Sequence, residues 1–344
     1  MAPSRPLVTA VVAAHQAARH LGDALASLAA QTLDDLEVIV VDDGSTDGTS
    51  EVARAFARFD PRFRLLRLDR NRGQAAALNV GMDQARGRYL ALLDADDEAT
   101  PRRLELQASA FDRDPGLVLV GGAVVTLCDR HGVEGRVWRY ATDDAAVRAR
   151  TLFKSEVISG AITYDVECMR RHAVRFDGSL RLGVDWALSA AAMRLGRVGN
   201  VEPVVMRYRI HPRQMTVEMV DDLGSDSTRI RRGVLAWAGV EPTDDEMRTH
   251  LAVSPCNYWP FGSHPFFRER GEAILEDAER WLARLVEETS RAGRIPPGAL
   301  QAYAEEILAM TEQALRDPAA VGESSARNCP VAAPLDCVNG EPCR

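Results

Sequence analysis

The regular alternation of strand-like and helix-like segments in the first third of the chain is the feature that most constrains its fold. The five apolar, strand-like runs begin at Val8, Leu36, Phe63, Tyr89 and Leu117. In the segments between them, apolar residues recur every three or four positions, as they do on one face of a helix. Strands and helices that alternate in this way are typical of βαβ units, so we expect a mostly parallel sheet flanked by helices.

The pattern changes after the fifth strand. The fifth strand is predicted over residues 118–125, and the chain beyond it predicts a helix over residues 186–195 and a strand over residues 201–210. Two amphipathic segments, over residues 274–285 and 300–315, then predict a C-terminal helical extension. The expected fold class is therefore α/β with a mixed, mostly parallel sheet, followed by helices.

Composition excludes some classes of protein. The chain has 344 residues, of which 46% are hydrophobic, and a net charge of −8. A general nucleic-acid-binding protein would carry a basic surface instead. No stretch approaches the roughly 20 apolar residues that span a bilayer, and the N-terminus leads into the first strand without the apolar run of a leader. We expect a cytoplasmic protein, with peripheral contact with the inner face of the membrane as an open alternative.

Three cysteines, Cys329, Cys337 and Cys343, lie in a C-terminal segment that is rich in Pro, Gly and Ser. Their spacing lacks the paired short gaps of a zinc site. We therefore expect residues 317–344 to form a disordered tail with reduced thiols.

Polar residues follow each of the first four strands. They are His15, the pair Asp42-Asp43, the run 71–73 and the group 94–97. Ligands of an open parallel sheet bind beyond the carboxyl ends of its strands. The carboxylates of the group 94–97 would repel one another unless a hard divalent cation neutralised them, and a phosphorylated ligand could complete its shell. No G-x-G-x-x-G follows the first strand and no Walker-A lysine occurs, so the sequence favours a metal-assisted diphosphate site.

Asp43 has two interpretations. A carboxylate beside the tight turn at Gly44 can accept the N–H of a pyrimidine ring, and this is the role that we give it. It can also cap its own loop or the next helix, which is a common use of Asp. Asp42 or Asp43 is expected to do some of this capping.

Three motifs resemble those of glycosyltransferase family 2. They are the run Val38-Ile39-Val40-Val41-Asp42-Asp43-Gly44-Ser45-Thr46-Asp47-Gly48-Thr49, the run Asn71-Arg72-Gly73 followed by Ala77, Asn79 and Gly81, and the run Leu92-Leu93-Asp94-Ala95-Asp96-Asp97. They occur in the order and spacing of the family, and the resemblance extends over about residues 7–216. It implies a GT-A fold, a nucleotide-diphosphate sugar as donor, Mn²⁺ or Mg²⁺ as cofactor, and inversion at the transferred sugar.

The resemblance also implies roles for single residues. Asp43 would contact a uracil-like base, Asp94 would lie near the ribose and the sugar, and Asp96 would bind the metal. The residues that it places around the nucleotide sugar are Ala13, His15, Asp42, Asp43, Asn71, Gly73, Asp94, Ala95 and Asp96. Residues 13–16 depart from the Pro, aromatic and Asn of the family, which leaves the choice of base open.

The family has its general base in an acidic motif some distance after the D-x-D, and residues 182–186 resemble that motif. We assign Asp185 as the base that takes the proton of the acceptor hydroxyl, because a hydroxyl is a poor nucleophile at neutral pH. The other interpretation is that Asp185 caps a helix that starts at Trp186.

Other carboxylates stay as alternatives for the base. Val184 stands where the family has Glu, which loosens the assignment of Asp185. Glu167 and Asp177 could substitute, and Asp165 is a weaker candidate.

Four further residues complete the predicted site. His211, in a Y-R-x-H element that the family also has, is expected to help Asp96 hold the metal. Trp186 is expected to stack on a sugar ring, with a place in the core as the alternative. Gly160 and Arg209 are assigned to the acceptor or the sugar.

We therefore expect a GT-A catalytic domain over residues 1–220, with a nucleotide-sugar half over 1–128 and an acceptor half over 129–220. The helical region over 221–316 would pack on that domain, form a homodimer or bind the acceptor. The expected activity is transfer of a hexose or N-acetylhexosamine from a UDP-sugar, or from another nucleotide-diphosphate sugar. The acceptor would be a hydroxyl of a glycan, a lipid-linked sugar or a small molecule, in polysaccharide, glycolipid or glycoconjugate assembly. The alternatives are a nucleotidyltransferase on a related fold and a catalytically weak protein that acts through its C-terminal helices.

Overall fold

The computed structural model describes residues 5–215, 223–255, 261–262 and 264–317. The chain divides into two units. The first consists of Met1–Thr142 and Val157–Arg209, and the second of Asp143–Glu156 and Ile210–Arg344. No pattern in the sequence indicates that the short segment Asp143–Glu156 belongs with the C-terminal helices. The functional division at residue 220 stays a prediction.

Four parallel strands form one half of the sheet in the first unit. They are β1 (Val8–Ala14), β2 (Leu36–Asp42), β3 (Phe63–Arg67) and β4 (Tyr89–Leu92), in the spatial order β3-β2-β1-β4. Three helices connect them in turn, α1 (Leu21–Ala29), α2 (Thr49–Phe59) and α3 (Gln74–Gln84), so the predicted βαβ alternation is confirmed. β1, β2 and β4 are buried along almost their whole length, as expected of apolar strands that are covered on both faces.

Five more strands complete the sheet. They are β5 (Glu98–Ala99), β6 (Leu117–Cys128), β7 (Val133–Trp138), β8 (Thr163–Asp165) and β9 (Arg197–Ile210). The full order is β3-β2-β1-β4-β8-β6-β9-β5, with β7 paired to β6, and β8 runs antiparallel to both β4 and β6. The sequence predicted β6 and β9. It missed β5 and β8 because they are only two and three residues long, and β7 because its mostly exposed residues form no apolar run.

The remaining helices fall in both units. They are α4 (Arg103–Arg113), α5 (Asp144–Thr151), α6 (Val166–Arg171), α7 (Val184–Ala192), α8 (Leu223–Trp237), α9 (Asp244–Ala252), α10 (Pro265–Arg270), α11 (Ala273–Ala292) and α12 (Pro297–Arg316), with a 3₁₀ turn at Ser159–Ala161. The helices predicted over residues 186–195, 274–285 and 300–315 correspond to α7, α11 and α12. In the second unit, α5 packs against α12, and α11 packs against both α9 and α12.

A buried histidine lies at the centre of the second unit. His250 of α9 is fully buried, and its Nδ1 accepts the indole N–H of Trp281 at 3.2 Å. Its Nε2 lies 3.1 Å from the carbonyl oxygen of Leu152. Since Nδ1 is an acceptor, Nε2 carries the proton and the ring is neutral. Burial and, to a smaller extent, the charge of Arg231 lower the pKa of His250 to about 3.

No helix within the described residues combines the length and the apolar content that crossing a bilayer requires. The tail from residue 318 onward, with its three cysteines, lies outside the described residues.

Candidate functional site

Asp42, the last residue of β2, stabilises the loop that follows it. Its buried carboxylate accepts the backbone N–H of Ser45 at 2.9 Å and the hydroxyl of Ser50. Burial acts to raise the pKa of Asp42, but the hydrogen bonds from Ser45 and Ser50 outweigh it and hold the pKa below its ordinary value. Asp42 therefore does the capping that the sequence assigned to one member of this pair.

Asp43 joins the end of β2 to the loop before α3. Its two carboxylate oxygens accept the backbone N–H groups of Arg72 and Gly73, each at 2.8 Å. The side chain of Asn71 also accepts the N–H of Gly73, at 2.9 Å. The turn between the two segments requires Gly44, because its φ is +70° and a Cβ there would lie 2.5 Å from the carbonyl carbon of Arg70.

The loop after β1 meets the same edge. The Nδ1 of His15 lies 2.8 Å from the carbonyl oxygen of Asp43, and the backbone N–H of Gln16 donates to the hydroxyl of Ser45. Ala13 is half-buried at the end of β1, and the ring of His15 is exposed. The structure therefore brings together His15, Asp43 and the run 71–73, as the sequence predicted. Their contact with a base stays a prediction.

Three carboxylates follow β4. Asp94 is half-buried and lies 3.5 Å from the hydroxyl of Ser159. Loss of solvent, together with the charges of Asp96 and Asp185, raises the pKa of Asp94 to about 7. Burial and the same kind of like-charge repulsion raise the pKa of Asp97 well above its ordinary value. The positive groups around this part of the sheet edge therefore do not neutralise its carboxylates fully.

Asp97 is the most deeply buried of the three. Its Oδ1 accepts the backbone N–H of Arg209 at 2.8 Å. Its Oδ2 is buried and has no hydrogen-bond partner within the described part of the chain. An orphaned carboxylate oxygen is costly unless another group pairs with it.

The acidic cluster fits a divalent cation that is shared with a ligand. Among the described residues, no three His, Cys, Asp or Glu side chains are grouped so that they could hold a metal ion by themselves. A cation bound by one or two carboxylates and by phosphate oxygens does not need such a group. The raised pKa of Asp94 and the unpaired Oδ2 of Asp97 are both features that a nearby cation would compensate.

Asp185 comes to this cluster from a distant part of the sequence. It is the second residue of α7, and Gly183, with a φ of +72°, is the N-cap of that helix. The alternative in which Asp185 caps a helix starting at Trp186 is therefore wrong. Burial raises the pKa of Asp185, and the charge of Asp185 in turn raises the pKa of Asp94. Asp185 and Asp94 therefore lie near enough in the fold for their charges to interact.

The three alternative carboxylates have other partners. Asp165 caps α6 by accepting the N–H of Cys168 at 2.7 Å, and exposed Glu167 pairs with Arg171. Asp177 is exposed and accepts the N–H of Ser179 at 2.8 Å. Of the four candidates for the base, Asp185 is the one whose charge raises the pKa of Asp94.

The residues assigned to the sugar and acceptor differ in position. The ring of Trp186 is only 4% exposed, which favours the alternative of a core residue. Gly160 lies against Asp94, because a Cβ at Gly160 would be 3.0 Å from the Asp94 nitrogen. Arg209 is buried and contacts carboxylates, so its position favours a structural role over contact with an acceptor.

His211 follows β9 and belongs to the second unit. Its backbone N–H donates to the side chain of Gln214 at 3.1 Å. Its role as a metal ligand stays a prediction.

A buried polar pair on α4 was not predicted from the sequence. Arg103 is fully buried and donates to the carbonyl oxygens of Leu92 and Gly160, which flank Asp94. Gln107, one turn later, accepts from Arg103 and donates to the carbonyl oxygen of Ala161 at 2.7 Å. Burial lowers the pKa of Arg103 to about 10, although the nearby Asp94 and Asp97 act to raise it. The i, i+4 spacing of Arg103 and Gln107, beside an apolar stripe, was the available signal.

Comparison with known sequences supports the resemblance that the motifs indicate. Residues 9–167 match the family model described as Glycosyl transferase family 2. Succinoglycan biosynthesis protein ExoO of Rhizobium meliloti (strain 1021) is 35% identical over 223 residues, which cover 62% of this chain and 63% of that protein. Succinoglycan biosynthesis protein ExoU of the same strain is 32% identical over 199 residues, which cover 55% of this chain and 57% of that protein. The chain thus matches less than two thirds of the length of either relative.

Solved structures agree with the fold. Staphylococcus aureus TarS 1–349 in complex with UDP-GlcNAc superposes with a TM-score of 0.57 and 16% identity, and the match covers 90% of this chain and 92% of that one. The mannosyltransferase PcManGT from Pyrobaculum calidifontis, in complex with GDP-Man and Mn²⁺, superposes with a TM-score of 0.50 and 21% identity. That match covers 98% of this chain and 89% of the mannosyltransferase. The predicted GT-A fold with a C-terminal helical extension is confirmed. Residues 9–167, with the motifs that they contain, are thus similar to glycosyltransferase family 2.

Proposed function

We propose that this chain is an inverting glycosyltransferase that uses a nucleotide-diphosphate sugar, with a UDP-sugar as the donor. The observation that carries the proposal is the meeting of Asp185 with the carboxylates that follow β4. Asp94 and Asp185 come from distant segments, and the charge of Asp185 raises the pKa of Asp94. Such an arrangement is typical of a site where a cation and an acid–base step act together.

The donor would bind along the edge built by the first four strands. We infer that Asp43, His15 and the run 71–73 order the loops beside the base, since they are already joined by hydrogen bonds. Asp94 would face the ribose and the sugar, and Asp96 would hold Mn²⁺ or Mg²⁺. When bound, the cation supplies positive charge for the leaving diphosphate. The names of two solved relatives, which include UDP-GlcNAc and GDP-Man, support a nucleotide sugar as the ligand.

Asp185 would act as the general base. The acceptor hydroxyl oxygen attacks C1 of the sugar, its proton passes to the carboxylate of Asp185, and the bond from C1 to the diphosphate oxygen breaks. The electron pair of that bond leaves with the nucleoside diphosphate, and the configuration at C1 inverts. A raised pKa suits this role, because a carboxylate that is a stronger base takes the proton more readily.

The names of two relatives support the proposed acceptor class. Both are named as succinoglycan biosynthesis proteins, so we propose a role in polysaccharide or glycoconjugate assembly. The transferred unit would be a hexose or an N-acetylhexosamine. The acceptor would be a hydroxyl of a glycan or of a lipid-linked sugar.

A donor panel tests the proposal. The purified chain is incubated with Mn²⁺ and UDP-, GDP- or dTDP-sugars, and the slow hydrolysis of each donor is measured with and without a chelator. We expect hydrolysis of a UDP-sugar that stops when the metal is removed and returns with added Mn²⁺. Hydrolysis that continues at the same rate in the chelator would contradict the metal role, and inertness toward all donors and acceptors would contradict the proposal as a whole.

A further inference from the structure

Arg209 contacts three consecutive residues of the acidic loop. Its Nε donates to the carbonyl oxygen of Asp96 at 2.8 Å, and its backbone N–H donates to Oδ1 of Asp97 at 2.8 Å. Its Nη2 donates to Glu98 at 2.7 Å. One residue of β9 thus binds the backbone carbonyl of Asp96 and the side chains of the two residues that follow it.

The same guanidinium is tied to two other segments. Nη2 also donates to Asp23 of α1 at 3.0 Å, and Nη1 lies 3.6 Å from Asp129, in the turn between β6 and β7. Asp129 pairs with Arg19 at 2.7 Å and lies 3.6 Å from His20. Both of these residues belong to the loop that begins with His15. The cluster therefore connects the acidic loop to the loop predicted to lie beside the base.

The ion pairs of Arg209 are more buried than ordinary surface ion pairs. Its side chain is 7% exposed, and Asp129 is 10% exposed, so solvent screens this cluster weakly. A planar guanidinium offers five donors in a fixed fork, and here different atoms of the fork serve different groups. The contacts of Arg209 thus hold the acidic loop in position, whereas a single exposed ion pair would add little to the stability of that position.

We propose that Arg209 is a positioning residue that holds Asp96 in the orientation required to bind the divalent cation, and that Asp129 extends this hold to the loop after β1. This inference rests on the proposed function, since it concerns the metal-binding carboxylate. It replaces the assignment of Arg209 to the acceptor. Partners that orient a metal ligand typically change metal affinity by about 10- to 100-fold when they are removed.

Arg209→Lys is the decisive variant. Lysine keeps the positive charge, but its single ammonium group cannot donate to the Asp96 carbonyl oxygen and to Glu98 and Asp23 in the same fixed fork. The matched control is Arg197→Gln, at the start of the same strand, where an exposed arginine pairs with Asp114. Mn²⁺ binding is measured in the presence of UDP by electron paramagnetic resonance of the free ion, and thermal unfolding is followed on the same samples.

We expect Arg209→Lys to raise the Kd for Mn²⁺ by about tenfold or more, and Arg197→Gln to leave that Kd unchanged. The apparent KM for the donor should rise with the Kd for Mn²⁺, and kcat at saturating Mn²⁺ and donor should change less. A purely structural role would lower the melting temperature without changing the Kd for Mn²⁺. A folded Arg209→Lys protein with the parent Kd would overturn the inference.

If Arg209→Lys does not fold, Asp129→Asn tests the inference instead. This change leaves Arg209 in place and removes only the carboxylate that it shares with Arg19 and His20. We expect a smaller rise in the Kd for Mn²⁺, and the parent Kd would overturn the inference. A parent chain that binds no Mn²⁺ in the presence of UDP would instead contradict the proposed function itself.

Discussion

Asp94 and Asp185 are electrostatically coupled: the charge of Asp185, in the first turn of α7, helps to raise the pKa of Asp94, which follows β4. The two segments are far apart in the sequence, and the sheet brings them together through β8, which pairs with both β4 and β6. The coupling places a candidate base beside the candidate donor site. It is the relationship on which the first two predictions depend.

Replacing Asp185 by Asn should abolish most of the transfer activity. The amide is nearly isosteric but cannot accept the hydroxyl proton, so kcat is expected to fall by about 10² to 10⁴, while the Kd for the donor stays close to that of the parent. Asp177→Asn is the comparison, because Asp177 is exposed and is an alternative base in the sequence. Steady-state kinetics and donor titration separate the two effects. If Asp177→Asn lost its activity while Asp185→Asn kept full activity, Asp177 and not Asp185 would be the base.

Replacing Asp94 by Asn should stabilise the metal-free protein at high pH. The pKa of Asp94 is about 7 in the folded state, against an ordinary value of 3.8. The folded chain therefore holds more protons than the unfolded chain between about pH 4 and pH 7, and stability falls as the pH rises through that range. Asn carries no such charge, so the variant is expected to melt above the parent at pH 8, with a gap that closes toward pH 4. Thermal unfolding in the presence of chelator measures this, and an equal gap at both pH values would contradict the assignment of the raised pKa.

Replacing Gly160 by Ala should disturb the acidic loop. The added Cβ would lie 3.0 Å from the nitrogen of Asp94 and 2.9 Å from the sulfur of Met206. We expect kcat/KM to fall by about tenfold or more, because small displacements of a binding group are costly. Gly178→Ala is the matched control, since no heavy atom lies within 4 Å of the Cβ that it would add. Equal kinetics for the two variants would show that the contact with Asp94 has no effect on the site.

The second unit should lose stability in mild acid through His250. Its pKa is about 3 in the folded state, against an ordinary 6.5. The unfolded chain therefore binds a proton that the folded chain does not, and stability is lost as the pH falls from about 6.5 toward 3, by at most about 1.4 kcal/mol per pH unit. His250→Gln is expected to be less stable at pH 7, because it loses the hydrogen bond with Trp281, but to show a flatter dependence on pH. Urea unfolding of both proteins between pH 4 and pH 7 compares the slopes, and identical slopes would mean that His250 does not titrate on unfolding.

The sequence by itself determined the parallel half of the sheet and the identity of the acidic loop. The starts of β1 to β4 and of β6 could be predicted to the residue, because each strand is an apolar run and each connection is a helix with an apolar stripe. Asp43, Asn71 and Gly73 were predicted to share an edge, because parallel strands end at the same side of a sheet. These are properties of local pattern, which a single chain displays directly.

Only the tertiary structure decided which residues support the site. Arg103, Gln107 and Arg209 are polar side chains that are buried against backbone carbonyl groups and carboxylates from other segments. Apart from the i, i+4 spacing of Arg103 and Gln107, their local sequence does not distinguish them from exposed polar residues, because burial and partner choice depend on long-range contacts. The same holds for the short strands β5 and β8, whose pairing comes from neighbours in the sheet and not from an apolar run. Local patterns therefore determined where the candidate catalytic carboxylates lie along the chain, whereas packing determined which residues hold them and how strongly they interact.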